Sequence, residues 1–370
     1  MLFSAALIVK NEEKLLGQCL RSLQGLVDEI VVVDTGSTDR TQAITLEYGA
    51  RLHDFKWCND FAAARNYALD QVRGEWVLYI DADERVRPGH ADQLRGKLQD
   101  PAFFAFRVQL HPRPSATAYA ELRIFRSDPR IRFRGRIHEN IRPGIDLYRS
   151  QLGGQIGASG LTIDHEGYEV DQHRKHQRNL PLLRMALREE PDRVYCWCDL
   201  ANIYAALGKD RNAKKARKRA LDIVRGKKRL RADDCLPYLG LIEWKLKSRQ
   251  DPLPLLKEAL SRFPANLQLH WLRGKALMAG NQFEEAIPVF DYLIACGKTG
   301  HYDHSISYDQ RLLGELPLSH LAVCHFQLKD YATSGHYFEL AAKSAPENLE
   351  YRVKQELCAK LGRTSSSAAQ

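Results

Sequence analysis

The chain has 370 residues, room for two or three domains at roughly 150 residues each. Hydrophobic residues make up 44% and charged residues 27%, a globular balance that excludes disorder as the dominant state. Lys and Arg number 55 against 46 Asp and Glu, a net charge of +9 that favours anionic ligands or surfaces without by itself implying nucleic acid. No run of about 18 apolar residues occurs, so no membrane-spanning helix is expected. The N-terminal MLFSAALIVKNEE lacks the basic segment and cleavage site of a signal peptide. Eight cysteines show no zinc-type CxxC pairing, so reduced thiols and a cytoplasmic location are expected.

Taken in chain order, the first 165 residues alternate short apolar runs with helical patterns. Ser4–Val9 reads as a buried strand and Glu13–Gln24 as a helix with Leu16, Leu20 and Leu23 at helical spacing. EIVVV at Glu29–Val33 is a central strand that stops at the turn residues DTGSTD. A helix to about Tyr48, a short strand near Ala50–Asp54, a helix over Asp60–Val72 and a strand over Glu75–Ile80 follow. This alternation predicts a doubly wound, parallel α/β sheet, whose ligands bind beyond the carboxyl ends of its strands. Three polar clusters, KNEE, DTGSTD and DADE, stand at such ends. After Pro101 the segments Phe103–Leu110, Leu122–Arg126 and Ile131–Ile137 read as strands that extend the sheet or form a small mixed one. The Gly- and Ser-rich stretch Pro143–Ser159 reads as a loop.

From about Asp171 the pattern is helical and repetitive. Small residues at Ala201, Gly240, Gly274 and Ala322 are each followed 19 positions later by Ala220, Ala259, Leu293 and Ala341. That spacing fits a degenerate array of two-helix tetratricopeptide units, with insertions near Arg225–Asp234 and Gly297–Arg311. An ordinary helical bundle is the plainer alternative. The basic stretch Lys209–Arg231 fits a solvated helix face better than a nucleic-acid site, since no aromatic residues interleave it. An anionic membrane surface could also meet it, which leaves peripheral membrane contact open.

Asp81 and Asp83 follow a buried strand at i, i+2, so in extended geometry both carboxylates point the same way and can share one hard divalent cation. The alternative is a solvated acidic turn. Asp34 at the end of EIVVV suits a base N–H or a ribose hydroxyl, while Thr38 and Asp39 suit helix capping. Asn11 reads as a strand-end cap. Arg65, a charge among alanines, could reach a diphosphate or simply face solvent.

Four ordered stretches, LIVKNEEKLLGQCLRSL, DEIVVVDTGSTDRT, WCNDFAAARNYAL and GEWVLYIDADE, make the first 84 residues resemble a family-2 glycosyltransferase of the GT-A fold. The whole chain is similar to the branch that joins this domain, here residues 1–170, to tetratricopeptide-like repeats, here 171–370. That branch includes peptide S-glycosyltransferases that modify bacteriocin cysteines. The resemblance implies a nucleotide-sugar donor, a UDP-sugar, and Mn²⁺ or Mg²⁺ on Asp81 and Asp83. It implies a base and ribose site at Ile8, Lys10, Asn11 and Asp34, with Asp60, Arg65 and Asn66 facing the diphosphate or donor sugar. The acceptor is expected to be a peptide, protein or glycan recognised partly by the helical repeats, and no nucleic acid is expected.

The chain departs from the family after residue 100, where no Glu-Asp pair bears the catalytic base. Inverting transfer needs a base, and Glu139 in RGRIHEN is the expected one, with His138 beside it as the alternative. Glu139 could instead pair with Arg134 or Arg136 as scaffold. His165, in IDHEGY, could join the carboxylates on the metal or serve as a hydrogen-bonded structural residue. The competing class of function is a repeat-based interaction scaffold whose glycosyltransferase-like domain is inactive.

Overall fold

A computed structural model describes residues 3–87, 89, 91–113, 115–166 and 172–367. Gly167 and Tyr168 of IDHEGY, and Asp171, lie outside these. The chain forms two compact units, residues 1–114 with 118–216, and residues 115–117 with 217–370.

The first unit is built on one eight-stranded sheet. Its strands are β1 (Phe3–Val9), β2 (Glu29–Asp34), β3 (Arg51–Asp54), β4 (Trp76–Tyr79), β5 (Glu84–Val86), β6 (Phe103–His111), β7 (Tyr119–Arg126) and β8 (Gln155–His165), in the order β3-β2-β1-β4-β7-β6-β8-β5. The first four are mutually parallel, as the alternating pattern predicts. Beyond β4 the sheet becomes mixed, because β7 runs antiparallel to both β4 and β6.

Alternation along β1 shows how both faces are covered. Phe3, Ala5, Leu7 and Val9 enter one core with Leu16, Leu20 and Leu23 of α1 (Leu16–Leu23) and Leu94 and Leu98 of α4 (Ala91–Gln99). Ala6 and Ile8 enter the opposite core with Ala62, Ala68 and Leu69 of α3 (Phe61–Gln71) and Ile145 of α5 (Arg142–Leu152). A strand buried on both faces reads as a continuous apolar run, which is why SAALIV and EIVVV were conspicuous. α2 (Thr41–Glu47) links β2 to β3, and α6 (Gln172–Glu189) and α7 (Val194–Ala206) complete the unit.

Two expectations fail here. Ile131–Ile137 is not a strand; its one ladder-like contact is the isolated pairing of Arg134 with Asn140. Ile131, Phe133 and Ile137 are buried, but the Asn66 side chain meets the backbone of Phe133 at both N–H and C=O, at 2.8 and 3.0 Å. A side chain therefore does for this segment what a neighbouring strand would have done. Pro143–Ser159 is not a loop but α5 followed by the start of β8. Pro143 stands in the first turn of α5, where its missing N–H costs nothing, and Gly144 is there because a Cβ would lie 2.5 Å from the backbone nitrogen of Arg132.

α8 (Asp210–Gly226) runs from one unit into the other. The second unit continues as α9 (Leu236–Lys247), α10 (Leu253–Arg262), α11 (Leu267–Ala279), α12 (Phe283–Thr299), α13 (Glu315–Gln327), α14 (Tyr331–Ser344) and α15 (Leu349–Ser367). The repeat positions fall as the spacing requires. Gly240, Gly274 and Ala322 lie in the first helices of successive hairpins, and Ala259, Leu293 and Ala341 lie fully buried in the second. The two insertions form short 3-10 turns at Ala232–Cys235 and Gln310–Leu313. Within the basic stretch, Arg225 pairs with Glu258 and Lys227 with Asp234, and Ala216, Ala220, Leu221 and Val224 are buried beneath the charges.

Candidate active site

Because β2, β1 and β4 are parallel neighbours, their carboxyl ends form one edge, with Asp34 opposite Val9 in the register and Asp81 just past β4. A pocket of about 460 Å³ opens there. The registers bring distant residues to it. β5 pairs with β8 so that Glu84 lies opposite His165. This sets the imidazole Nε2 of His165 3.2 Å from Oδ2 of Asp83, across more than 80 residues of sequence. The Asp83 carboxylate, through that hydrogen bond, holds the His165 imidazole above its ordinary pKa.

The Asp81 turn hangs on two buried groups. Its backbone N–H donates to Oε2 of Glu84 at 2.9 Å, and Glu84 is gripped by both terminal nitrogens of Arg123. Arg123 comes from β7 and stacks on the Tyr79 ring at 4.5 Å. Asp81 itself accepts from Nη2 of Arg65 at 2.7 Å, while Nε of the same arginine donates to Oε1 of Glu139 at 2.6 Å. Arg65 is thus a buried cation balanced by two carboxylates, flanked by the rings of Tyr79 and Phe133. Glu139 pairs with Arg65, not with Arg134 or Arg136; Arg136 is taken by Glu189.

The pocket therefore gathers Ile8, Lys10, Arg65, Asp81, Asp83, Glu139 and His165 of the expected site residues. The other four serve its frame as well. Asn11, at φ 56°, donates its N–H to Ser37 and accepts from Thr38 N–H through its side chain, locking KNEE to DTGST. Asp60 caps α3 by accepting from Ala63 N–H. Asn66 brackets Phe133. Asp34 accepts from Gly36 and Ser37 N–H with Oδ1, and its other oxygen is buried with no partner among the described residues. Asp39 accepts from Thr41 N–H in the first turn of α2, although the N-cap position is Arg40, and Thr38 instead donates its N–H to Asn11.

Further residues line the pocket. Glu12, Trp57 and Phe61 lie inside the quoted motifs, so their signal was present. Lys175, Arg178 and Asn179 come from α6, far from any motif, and line the same pocket. Burial first, then the carboxylates of Asp83, Asp81 and Asp39, push the Glu12 carboxyl up to about 7. The site thus concentrates negative charge at the strand ends, a field that a divalent cation would neutralise. Carboxylate oxygens with one imidazole suit Mn²⁺, so the donor chemistry fits such an ion, although no ready-made cluster of three ligating side chains exists among the described residues.

Comparison with known proteins identifies both regions of the chain. Residues 4–145 match the glycosyl transferase family 2 profile, and 194–223 and 239–301 match tetratricopeptide repeat profiles. The chain carries an N-terminal family 2 glycosyltransferase domain. Tetratricopeptide repeats follow that glycosyltransferase domain. A TPR repeat-containing protein of Synechococcus elongatus is 34% identical over 272 residues, 72% of this chain and 66% of the relative. The SPbeta prophage-derived glycosyltransferase SunS of Bacillus subtilis is 29% identical over 202 residues, 51% of this chain and 46% of SunS. The chain thus spans less than two thirds of either relative. A solved structure of S. aureus TarS 1–349 in complex with UDP-GlcNAc is 16% identical, covers 71% of this chain and 92% of its own, and has a TM-score of 0.42. Among the described residues no helix is long and apolar enough to cross a membrane.

Proposed function

We propose that the chain is a metal-dependent, inverting glycosyltransferase that moves a sugar from a UDP-sugar to a peptide, protein or glycan. The observation that carries this reading is the meeting of Asp81, Asp83 and His165 with the Arg65–Glu139 pair in one pocket of a family 2 domain. Asp81, Asp83 and His165 are the residues that would hold Mn²⁺ or Mg²⁺, and the ion, when bound, neutralises charge developing on the leaving diphosphate. Lys10, Lys175 and Arg178 add positive charge to the pocket walls, suited to the same diphosphate. Ile8 at the end of β1 offers an apolar contact to the base, and Asp34, with its unpartnered buried oxygen, an acceptor for a base N–H or ribose hydroxyl. Arg65, fixed by two carboxylates, orients Asp81 and Glu139 towards the reacting groups. The proton of the acceptor passes to a base on the His138–Glu139 step of the wall.

In this reading residues 1–170 carry most of the chemistry, α6 reaches into the pocket, and the repeats beyond it hold the acceptor on an extended concave surface. A cytoplasmic setting belongs to the same proposal. The scaffold alternative would tolerate loss of the strand-end carboxylates, yet all are present and engaged.

The test is calorimetric titration of UDP with and without Mn²⁺, paired with UDP release from UDP-sugars. Asp81→Asn and Asp83→Asn are expected to lose metal-linked UDP affinity and to turn over about 10³-fold more slowly, equivalent to about 4 kcal/mol of barrier. Near-normal turnover by Asp83→Asn with metal present would overturn the metal assignment.

A further inference from the structure

The loop carrying His138 and Glu139 is held from the α6–α7 side by one arginine and one carboxylate. Arg193, between the two helices, donates from Nη2 to the His138 carbonyl at 2.7 Å. It passes so close to Gly135 that any side chain there would collide with its guanidinium. Gly135 has φ 98° and His138 itself φ 52°, a state rare for a residue with a side chain and kept only where the surroundings fix it. So placed, the His138 ring lines the pocket, edge-on to Tyr195 at 4.6 Å. Its Nε2 lies 2.8 Å from Oδ2 of Asp199 on α7. Nδ1 has no hydrogen-bond partner among the described residues, and 28% of the side chain is exposed.

Resting on the transferase reading above, we propose that His138, oriented by Asp199, takes the acceptor's proton, while Glu139 serves as counter-ion and positioning residue for Arg65. The charge balance separates the two neighbours. Protonating Glu139 would discharge one of the two carboxylates that balance a buried arginine. Protonating His138 instead places a new positive charge against Asp199, turning a hydrogen bond into an ion pair. Asp199 accepts the Nε2 proton, which leaves the Nδ1 lone pair as the base. In the step, the acceptor's O–H or S–H bond breaks and its proton goes to Nδ1. The released electron pair forms the bond to the anomeric carbon, and the carbon–oxygen bond to the diphosphate breaks with its electrons leaving on the diphosphate. The imidazolium then returns its proton to solvent. Among the described residues Asp199, Tyr195 and Arg193 meet His138 from the α6–α7 side, Lys175 and Arg178 of α6 line the same pocket, and Glu139, paired with Arg65, is the next residue in the chain.

The proposal gives the helical region a part in the chemistry, because the positioning carboxylate lies on α7, inside a stretch that matches a tetratricopeptide repeat. The experiment uses the full chain with Mn²⁺ and a panel of UDP-sugars, water as acceptor, and UDP release as the readout. His138→Gln should slow release by about 10²–10⁴-fold and remove the acidic limb of the pH–rate profile, with UDP affinity unchanged. Asp199→Asn should slow it by about 10-fold, because the ring loses the carboxylate that fixes its tautomer and orientation. Glu139→Gln should lower the rate but keep the limb. Imidazole nitrogen NMR should show His138 protonated at Nε2 in the wild type. The proposal is overturned if Glu139→Gln abolishes the limb while Asp199→Asn leaves rate and profile unchanged, or if NMR shows His138 protonated at Nδ1 only. A wild-type chain that releases no UDP from any donor would overturn the transferase reading itself.

Discussion

Two arginines, one in each unit, show what burial does to an ion pair. Arg65 has a side chain only 10% exposed and spans Asp81 and Glu139 with different nitrogens. Arg225 is 47% exposed and grips Glu258 alone, at 2.6 and 2.8 Å. The hydrogen-bond distances are alike, yet the consequences differ. Around Arg65 water cannot substitute for a lost partner, so the triad fixes the relative positions of a strand end, a helix and a loop. Around Arg225 solvent screens and replaces each contact, so the pair adds little and commits nothing to a fixed geometry. The first unit spends its buried charge on a site; the described interior of the second is mainly apolar, with charge at its surface.

Substitution of the buried arginine is the sharpest way to break this contrast. Arg65→Lys keeps the charge but loses the fork, so one of Asp81 and Glu139 is left without its partner in a buried setting. The expected cost is about 3 kcal/mol of folding stability, read as a lower denaturant midpoint, with slower UDP release. A variant as stable and active as the wild type would show that pocket water, not the guanidinium, balances the two carboxylates.

What could be read in the sequence follows the same division between local and distant. The ends of EIVVV and WVLYI announced the polar edge because a strand's period and its stop signal lie within ten residues. The repeat positions were legible for a similar reason: Ala259, Leu293 and Ala341 sit at fixed spacing from small residues in the preceding helix. The approach of His165 to Asp83 depends on the β5–β8 register, and Lys175, Arg178 and Asp199 reach the site through the packing of α6 and α7. No periodicity encodes such contacts. Ile131–Ile137 misled for another reason: its apolar residues are buried as in a strand, while Asn66 supplies the hydrogen bonds. Pro143–Ser159 misled because glycine and proline there serve a helix start and a close backbone contact, not a loop.

In the second unit, packing and not charge should set the larger effects. A Cβ on Gly274 would lie 2.6 Å from the ring of Phe290, itself fully buried. Gly274→Val therefore forces α11 and α12 apart and should cost about 1–3 kcal/mol. Thermal melting would show the loss, and UDP titration with Mn²⁺ should give an unchanged affinity. A fall in UDP affinity as large as that of the Asp83 variant would erase the functional contrast between the units.

The smallest expected effect concerns the exposed pair. The Arg225 hydrogen bonds, joined by one from Tyr238 and opposed by burial, hold the Glu258 carboxyl below its ordinary value of 4.5. A carboxyl whose folded-state pKa is depressed stabilises the fold fully above the unfolded value. That contribution fades as pH falls from about 4.5 through the lower, folded value. Glu258→Gln should therefore be less stable than the wild type by about 0.5–1 kcal/mol at pH 7, a figure already reduced for solvent screening. The gap should narrow as pH falls below 4.5, and 1 M salt at pH 7 should narrow it too, since screening acts on exposed charges. Melting curves of the two proteins at pH 7 and pH 3.5 would measure both gaps. A gap that stays constant with pH and salt would assign the loss to the packing of α9 on α10, and the contrast between the two arginines would then rest on Arg65 alone.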